Sequence, residues 1–347
     1  MTASADARAQ ALLSFVVPSY NSQEYLSRCI DSMLPVPEDV EVIIVNDGST
    51  DGTRALAEDY QRAHPERIRV VSKPNGGHGS AINAGLASAG GRYFKVVDSD
   101  DWVDPAAYQE FLAALRELDA DNPPDLVVTN YVYEKLGKPK KRVMRFRNVF
   151  DRPGVIGWSQ TGKFGRSQYL LMHALTYRTE LLREVGLQLP EHTFYVDNLY
   201  AYVPMAGVKT LAYIDVDLYR YYIGRPDQSV AEQVMIKRLD QQLLVNRLMI
   251  ANLPSRDIPL PAKQRRYLEH YLGVMCAVSS ILLIRSGTRA HLAEKSRLWR
   301  ELRDADRVTR RRLRNTLMGN LVNLPGPMGR QITVVCYRVA RKFFGFN

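Results

Sequence analysis

The sequence of 347 residues contains little cysteine and no long run of apolar residues. Its three cysteines, Cys29, Cys276 and Cys336, are odd in number, widely spaced and free of any CxxC pair. This pattern argues against a disulfide framework or a cysteine metal site, and a reducing compartment fits it best. The longest uncharged apolar stretch, residues 271–284, is shorter than the roughly 20 residues that a membrane-spanning helix needs. We therefore expect a buried helix there.

The N-terminus also lacks the features of an exported protein. Residues 1–20 have neither a basic start nor an apolar segment long enough for a signal peptide. Hydrophobic residues make up 46% of the sequence and charged residues 24%, as in a typical globular protein. The length suits one large α/β domain with a helical appendage. The sequence thus predicts a cytoplasmic protein.

The net charge of +10 is unevenly distributed along the chain. Residues 231–347 contain 22 Lys and Arg but only 8 Asp and Glu, whereas residues 1–230 contain 25 and 29. A basic region of this kind favours a negatively charged partner. Because no helix-turn-helix, zinc-ligand or RNA-binding aromatic signature accompanies the charge, we expect no nucleic acid. An anionic membrane surface is the partner that remains.

Short β-branched runs alternate with helical stretches over the first 131 residues. The predicted strands are residues 13–17, 40–45, 68–72, 92–97 and 125–131. The predicted helices are residues 22–34, 52–64, 79–89 and 105–118. Several strands are apolar on consecutive residues, as a sheet covered on both faces requires. The sequence therefore predicts an α/β fold, with a mostly parallel, Rossmann-like sheet flanked by helices and followed by a C-terminal helical region.

Polar motifs follow the first four strands. They are PSYN at 18–21, NDGSTDGT at 46–53, KPNGGHGS at 73–80 and DSDD at 98–101. Ligands bind at the carboxyl ends of the strands in such sheets, so all four motifs are expected to face one cleft.

Two of these motifs suggest contacts to a ligand. Asp51 is placed to cap the following helix, which leaves Asp47 to accept a hydrogen bond from a ligand group such as a base N–H. Gly76 and Gly77 allow close approach of the backbone, and the helix after them offers its amide end to a phosphate or sugar.

Four carboxylates are gathered behind the fourth strand, at Asp98, Asp100, Asp101 and Asp104. Mg²⁺ or Mn²⁺ typically binds one or two carboxylates together with the oxygens of a substrate diphosphate. We assign Asp98 and Asp100 to metal and nucleotide. The alternative is an acidic turn in which Asp101 or Asp104 caps the next helix, and Asp104, which precedes a proline, suits that structural role.

Together, SFVVPSYN, VNDGSTDGT, NGGHGSAINAG and VVDSDDWVD resemble the nucleotide-binding half of family 2 glycosyltransferases, which have the GT-A fold. The resemblance covers about residues 12–105 and extends more weakly to about 230. It implies a nucleotide-sugar donor, usually UDP-linked, and an inverting transfer assisted by Mg²⁺ or Mn²⁺. It also implies that uracil is held by Pro18, Tyr20 and Asp47, the ribose region by Asp98, and the metal and diphosphate by Asp100. The other motif residues assigned to the nucleotide-sugar are Asn21, Lys73, Asn75, Gly76 and Gly77.

The same resemblance implies a catalytic base, commonly an aspartate in an acidic pair at the start of a helix. Asp197 in LPEHTFYVDNLYAY matches best, although Val196 stands where the neighbour is usually acidic. Glu191 is the competing candidate, and a helix cap is the structural alternative for Asp197. Arg225 is assigned to the diphosphate, which a guanidinium can bind in a bidentate manner, with an ion pair to Asp227 as the alternative.

Single histidines are more often structural than ligating, and this is our first expectation for His78 and His173. His173 could equally line the acceptor pocket.

The predicted C-terminal helix has apolar residues along one face and basic residues beside or opposite them. The apolar set is Ile332, Val335, Cys336, Val339, Ala340, Phe343 and Phe344. The pattern is that of an interfacial helix, with packing onto the protein's own helices as the alternative.

We expect a catalytic domain at 1–230 and a basic helical region at 231–347. The predicted function is transfer of a sugar from a UDP-sugar to a glycan or lipid-linked acceptor in bacterial-type surface polysaccharide synthesis, on the cytoplasmic face of a membrane. The alternatives are a nucleotidyltransferase and a noncatalytic nucleotide-binding module.

Overall fold

The computed structural model describes residues 11–135, 137, 141–166, 168–224 and 232–344, with side chains described as far as residue 339. The chain forms two compact units. The first unit comprises Met1–Lys163 and Leu170–Tyr222, and the second comprises Phe164–Tyr169 and Ile223–Asn347.

The described part of the chain contains one mixed sheet of ten strands. The strands are β1 (Leu13–Ser19), β2 (Val40–Asp47), β3 (Ile68–Lys73), β4 (Tyr93–Val96), β5 (Trp102–Val103), β6 (Leu126–Lys135), β7 (Arg142–Met144), β8 (Val155–Gly157), β9 (Leu175–Arg178) and β10 (Thr210–Ile223). The main path runs β3-β2-β1-β4-β9-β6-β10-β5, with β7 paired to β6 and β8 paired to β10. The predicted α/β fold with a central parallel sheet is confirmed.

The parallel part of the sheet consists of β3, β2, β1 and β4. Leu13 in β1 lies opposite Val40 in β2 and Tyr93 in β4, and Val42 in β2 lies opposite Ile68 in β3. Every residue of β1 and β4 is buried, as expected for strands covered on both faces. Beyond β4 the pairing changes, because β9 runs antiparallel to both β4 and β6.

The helices of the first unit are α1 (Leu26–Asp31), α2 (Thr53–Ala63), α3 (Gly77–Ser88), α4 (Pro105–Asp121), α5 (Thr179–Glu184) and α6 (Asp197–Tyr202). The first four were predicted, but α1 begins four residues later than expected. The reason is that the preceding residues bond to the loop after β2: Asn21 N donates to Ser49 Oγ at 3.1 Å, and Ser22 N donates to Thr53 Oγ1 at 2.7 Å.

Helix α3 packs very closely on β1. A Cβ atom at Gly85 would lie 2.3 Å from Cγ1 of Val16, so only glycine permits this approach. The close packing fixes the start of α3 relative to the strand ends.

The second unit is helical. Its helices are α7 (Glu232–Lys237), α8 (Leu239–Ala251), α9 (Ala262–Ser286), α10 (Arg289–Ala305), α11 (Arg307–Arg314), α12 (Leu317–Val322) and α13 (Gly326–Phe344). Within the described residues, α9 is the one helix long and apolar enough to cross a membrane by length and composition, but 78% of its apolar window is buried inside the protein. The buried helix expected at 271–284 is therefore present.

Polar contacts hold α9 to its neighbours in the second unit. Glu269 of α9 is 4% exposed and accepts hydrogen bonds from Arg256, Thr309 and Arg312 at 2.9 to 3.1 Å. Each buried carboxylate oxygen therefore has donors, which offsets the cost of removing its charge from water.

Candidate functional site

The loops after β1 and β2 are joined to each other by hydrogen bonds. Thr50 N donates to Asn21 Oδ1 at 2.9 Å, in addition to the bond from Asn21 N to Ser49. Asn21 has a φ of +48°, a left-handed conformation that asparagine tolerates better than most residues. Pro18 is buried at the end of β1, whereas Tyr20 is 52% exposed. An exposed aromatic ring beside a rigid loop can stack against a planar ligand.

Asp47 is almost completely buried and organises the loop after β3. Its carboxylate accepts hydrogen bonds from Lys73 Nζ at 2.7 Å, from Gly76 N at 3.0 Å and from Gly77 N at 2.7 Å. Asn75 Nδ2 donates to the Asp47 carbonyl oxygen at 3.0 Å. These residues, predicted separately from two motifs, thus form one connected structure. Asp47 fixes the loop through these bonds, and any contact to a ligand is additional.

The two glycines of this loop approach other parts of the protein closely. A Cβ atom at Gly76 would lie 2.4 Å from Ser80 Oγ, and Gly77 has a φ of +84°. His192 N donates to the Gly76 carbonyl oxygen at 2.6 Å. The loop therefore supports the segment that leads into α6, a contact that motif spacing did not predict.

A second connection joins α3 to the acidic motif. His78 Nε2 lies 2.7 Å from Asp98 Oδ1. Burial opposes the charged form of the imidazole, but the neighbouring Asp98 carboxylate prevails and raises the pKa of His78. The same pair lowers the pKa of Asp98 against the effect of its burial. His78, expected to be structural, is thus an ion-pair partner of a predicted site residue.

Asp98, Asp101 and His173 form a cluster, and one ligand atom of each lies within 4.8 Å of the others. Asp101 is 1% exposed and accepts hydrogen bonds from Tyr219 OH at 2.6 Å and Tyr222 N at 2.7 Å. Burial, followed by the charges of Asp100 and Asp98, raises the pKa of Asp101 well above its ordinary value. A bound cation would relieve this accumulation of negative charge.

Helix α4 is capped by Asp104, not by Asp101. Asp104 Oδ1 accepts a hydrogen bond from Ala107 N at 3.1 Å, and Oδ2 accepts one from Arg220 at 2.6 Å. The capping role expected for Asp104 is confirmed. Asp51 has a related role, since its Oδ1 accepts a hydrogen bond from Thr53 N at 3.0 Å at the first residue of α2.

His173 is buried, and neither of its ring nitrogens has a hydrogen-bond partner among the described residues. Its ring lies 4.6 Å from that of Tyr219 and 4.1 Å from that of Tyr221, measured between centroids. Burial lowers the pKa of His173 to about 4. The imidazole is therefore neutral at physiological pH, which is the form that binds metals.

Lys95, in the middle of β4, is fully buried and positions the backbone around His173. Its Nζ donates to the His173 carbonyl oxygen at 2.9 Å and to the Leu175 carbonyl oxygen at 3.3 Å. Burial lowers the pKa of Lys95 to about 7. The motifs at the strand ends do not include Lys95, although a single lysine inside the otherwise apolar run YFKVV marks it in the sequence.

The segment before α6 positions both candidates for the catalytic base. His192 and Tyr195 have φ values of +47° and +66°, uncommon for residues other than glycine. Glu191 is exposed and accepts a hydrogen bond from Ser80 Oγ at 2.8 Å. Asp197 is partly buried as the first residue of α6, and burial raises its pKa while the charges of His78 and Asp98 act on it in opposite directions.

Most of the predicted site residues lie in the first unit, around the carboxyl ends of its parallel strands. Asp100 is half-buried beside the cluster but is not part of it, although its charge helps to raise the pKa values of Asp101 and His78. Arg225 lies outside the described residues.

The donor atoms suit a divalent cation such as Mn²⁺ or Mg²⁺. Carboxylate oxygens are the preferred ligands of both ions, and a neutral imidazole is a common ligand of transition metals. A cation could bind one of the His173 ring nitrogens, and its positive charge would lower the raised pKa of Asp101.

Comparison with known proteins shows which family shares this arrangement. Residues 14–177 match the model of the family described as Glycosyl transferase family 2. An uncharacterized glycosyltransferase from Mycoplasma pneumoniae, the MG025 homolog, is 31% identical over 63% of this chain and 70% of its own length. The uncharacterized glycosyltransferase EpsJ of Bacillus subtilis is 33% identical over 60% of each chain. Chondroitin synthase of Pasteurella multocida is 34% identical over 50% of this chain.

The chain spans 60% of the length of EpsJ and 19% of that of the chondroitin synthase. Among solved structures, residues 1–349 of TarS from S. aureus in complex with UDP-GlcNAc superimpose with a TM-score of 0.68 at 19% identity. The match covers 96% of this chain and 91% of the TarS chain, and it shows a shared GT-A fold. The motifs at the strand ends, the fold and the relatives agree, and the chain belongs to glycosyl transferase family 2.

Proposed function

We propose that the protein is an inverting, metal-dependent glycosyltransferase that transfers a sugar from a UDP-sugar to a hydroxyl group of a glycan or lipid-linked acceptor. The observation that carries the proposal is the carboxylate cluster behind β4, with Asp98 paired to His78 and the charges of both acting on Asp197. The proposed site for the metal and the nucleotide and the candidate base therefore interact electrostatically within one unit.

The loops after β1, β2 and β3 are proposed to hold the nucleotide. Tyr20 offers an exposed ring and Pro18 a rigid wall for uracil, while Asp47 fixes the loop of Lys73, Asn75, Gly76 and Gly77. The UDP-GlcNAc complex of TarS, which shares the fold, supports a UDP-linked donor. Arg225 remains our proposal for a further contact to the diphosphate.

Asp98 and Asp100 are proposed as the residues that hold Mg²⁺ or Mn²⁺ beside the diphosphate. The cluster geometry adds Asp101 and His173 as further candidates for this set. When bound, the cation would neutralise charge that develops on the leaving diphosphate. His78 contributes by orienting the Asp98 carboxylate through the 2.7 Å contact.

Asp197 is proposed to accept the proton of the acceptor hydroxyl as the sugar is transferred. Burial raises its pKa toward the range in which a carboxylate is an effective base. Glu191 is a weaker candidate, because it is exposed and already accepts a hydrogen bond from Ser80.

We further propose that the enzyme acts in polysaccharide synthesis at the cytoplasmic face of the cell membrane. The similarity to a chondroitin synthase supports a glycan acceptor. The free cysteines, two of them buried, are consistent with a reducing compartment. Membership of the glycosyltransferase family argues against a nucleotidyltransferase.

A screen of nucleotide sugars tests the proposal and separates it from a noncatalytic nucleotide-binding module. The full chain is incubated with UDP-linked and GDP-linked sugars, with Mn²⁺, Mg²⁺ or a chelator, and nucleotide release is measured. We expect release of UDP that requires metal and is faster with a suitable acceptor. Binding of UDP without turnover of any donor, across a range of glycan and lipid-linked acceptors, would contradict an enzymatic role.

A further inference from the structure

Helix α13 has its apolar side facing outward. Met328, Ile332, Val335 and Val339 are 75%, 45%, 56% and 51% exposed. Their spacing of four, three and four residues places them in one line along the helix. We call these four residues the apolar ridge. A helix that only packs onto its own protein normally buries such a face.

Another side of α13 carries small residues, and it contacts the rest of the second unit. Thr333 is 1% exposed, and its Oγ1 donates to the carbonyl oxygen of Leu321 in α12 at 2.7 Å. A Cβ atom at Gly329 would lie 2.6 Å from the Leu324 side chain. The inner side is therefore already packed, and its contacts fix the ridge toward the exterior.

The last part of the chain, which carries the ridge, is strongly basic. Residues 307–347 contain nine Lys and Arg and no Asp or Glu. In the described part of the chain, Arg311, Arg314, Arg330 and Arg338 form no ion pair with a carboxylate. Burial lowers the pKa of Lys295 to about 8, and the charges of Arg314 and Arg330 contribute in the same direction. The charges of these four arginines are thus not balanced by a carboxylate partner among the described residues.

We infer that the apolar ridge and the basic residues of α11 and α13 form a docking surface for an anionic lipid bilayer. An exposed line of aliphatic side chains can enter the boundary between headgroups and acyl chains, while the arginines bind the negative headgroups. Leu317 and Met318, on α12, which contacts α13, are also apolar and are 69% and 39% exposed. A second copy of this chain fits less well, because a symmetric contact would bring the same basic residues together.

This inference deepens the proposed location at the membrane but does not depend on the sugar chemistry. It assigns the contact to α13 and to named side chains, in the part of the helix before residue 340. Binding to vesicles can be measured without donor or acceptor, so its failure and a failure of the proposed enzymatic activity are separate results.

Vesicle co-sedimentation of the full chain tests the inference. One set of vesicles contains phosphatidylcholine alone, and the other also contains phosphatidylglycerol. We expect binding to the anionic vesicles only, and weaker binding when salt rises well above 0.1 M, where the screening length is about 10 Å. The double variant Ile332→Ser/Val335→Ser should lower the vesicle partition coefficient by about tenfold or more, because both aliphatic contacts are lost.

The matched control is Leu244→Ser/Ile258→Ser, which makes the same kind of change at side chains 40% and 51% exposed outside α12 and α13. It should bind vesicles like the unmodified chain. Circular dichroism of both variants establishes that they are folded. Equal binding to both vesicle types, or equal loss in both variants, would overturn the inference. The inference would also be overturned if the unmodified chain formed a dimer and bound no vesicles, and the ridge variant were a monomer.

Discussion

The two units use charge in opposite ways. In the first unit, negative charge is concentrated behind one strand, and its members contact specific partners: Asp98 contacts His78, and Asp101 contacts Tyr219. In the second unit, positive charge is spread along helices, and several arginines have no carboxylate partner among the described residues. A compact set of oriented groups suits a small ligand, whereas dispersed charge suits a broad surface. The difference indicates separate tasks for the two units.

The largest effect is expected at the acidic motif of the first unit. Asp100→Asn should lower transfer by about 10⁴-fold or more, because a cation that stabilises the leaving diphosphate contributes several kcal/mol to the transition state. The measurement is UDP release at saturating donor and metal. Asp121→Asn, an exposed carboxylate at the end of α4, is the control and should keep normal turnover. Turnover of Asp100→Asn within tenfold of the unmodified chain would remove Asp100 from the site.

A second substitution in the first unit separates binding from chemistry. Asp197→Asn should leave donor affinity nearly unchanged and lower the transfer rate by about 10² to 10⁴, the range for loss of a general base. Glu191→Gln, which likewise replaces a carboxylate by an amide of the same shape, should cost less than about tenfold. The measurements are donor binding and single-turnover transfer. Near-normal turnover of Asp197→Asn, with collapse in Glu191→Gln, would move the base to Glu191.

The protonation of Lys95 is expected to make the stability of the first unit depend on pH. Its folded pKa of about 7 is below the ordinary value of 10.5, so the unfolded chain binds more protons between these pH values. Stability from this residue should rise with pH between about 7 and 10.5 and be constant below 7, a change of roughly 5 kcal/mol. Lys95→Met should abolish this rise.

Urea unfolding at pH 7 and at pH 9.5 measures the effect. Lys209→Met, at an exposed lysine in the same unit, is the matched control and should retain the rise. The same pH dependence in Lys95→Met as in the unmodified chain would show that Lys95 is charged in the folded protein.

The smallest effect on transfer is expected in the second unit. Glu269→Gln weakens the hydrogen bonds from Arg256 and Arg312. It should destabilise the protein by about 1 to 3 kcal/mol, because the two guanidinium groups no longer face a buried negative charge. Transfer to a soluble acceptor should stay within about twofold at a temperature where the variant is folded. Thermal unfolding and UDP release measure the two quantities. A large loss of turnover in the folded variant would show that the units are not functionally separate.

Local sequence was sufficient to predict the parallel part of the sheet and its motifs. Strands β1 to β4 each contain a short β-branched or aromatic run, and the helix cap at Asp104 is encoded by the proline that follows it. The relations inside the site join residues distant in sequence: His78 and Asp98 are 20 residues apart, and Asp101 and Tyr219 are 118 apart. No local pattern specifies such pairs.

The antiparallel strands illustrate the same limit. The pairing of β9 with β4 depends on where the chain returns to the sheet after more than 70 intervening residues. In the second unit, the amphipathic pattern of α13 predicted the helix but was compatible with an inward or an outward apolar face. Only the packing of Thr333 and Gly329 distinguishes the two.

Calorimetric titration of UDP into the unmodified chain and into Asp100→Asn, each with Mn²⁺ and with a chelator, tests the metal and nucleotide site most directly. If the carboxylates act through a cation, as proposed, UDP affinity of the unmodified chain should be at least about tenfold higher with Mn²⁺, and this gain should disappear in Asp100→Asn. Affinity with the chelator should be the same in both. An equal gain from Mn²⁺ in both proteins, or no gain in either, would contradict the assignment of Asp100 to the metal.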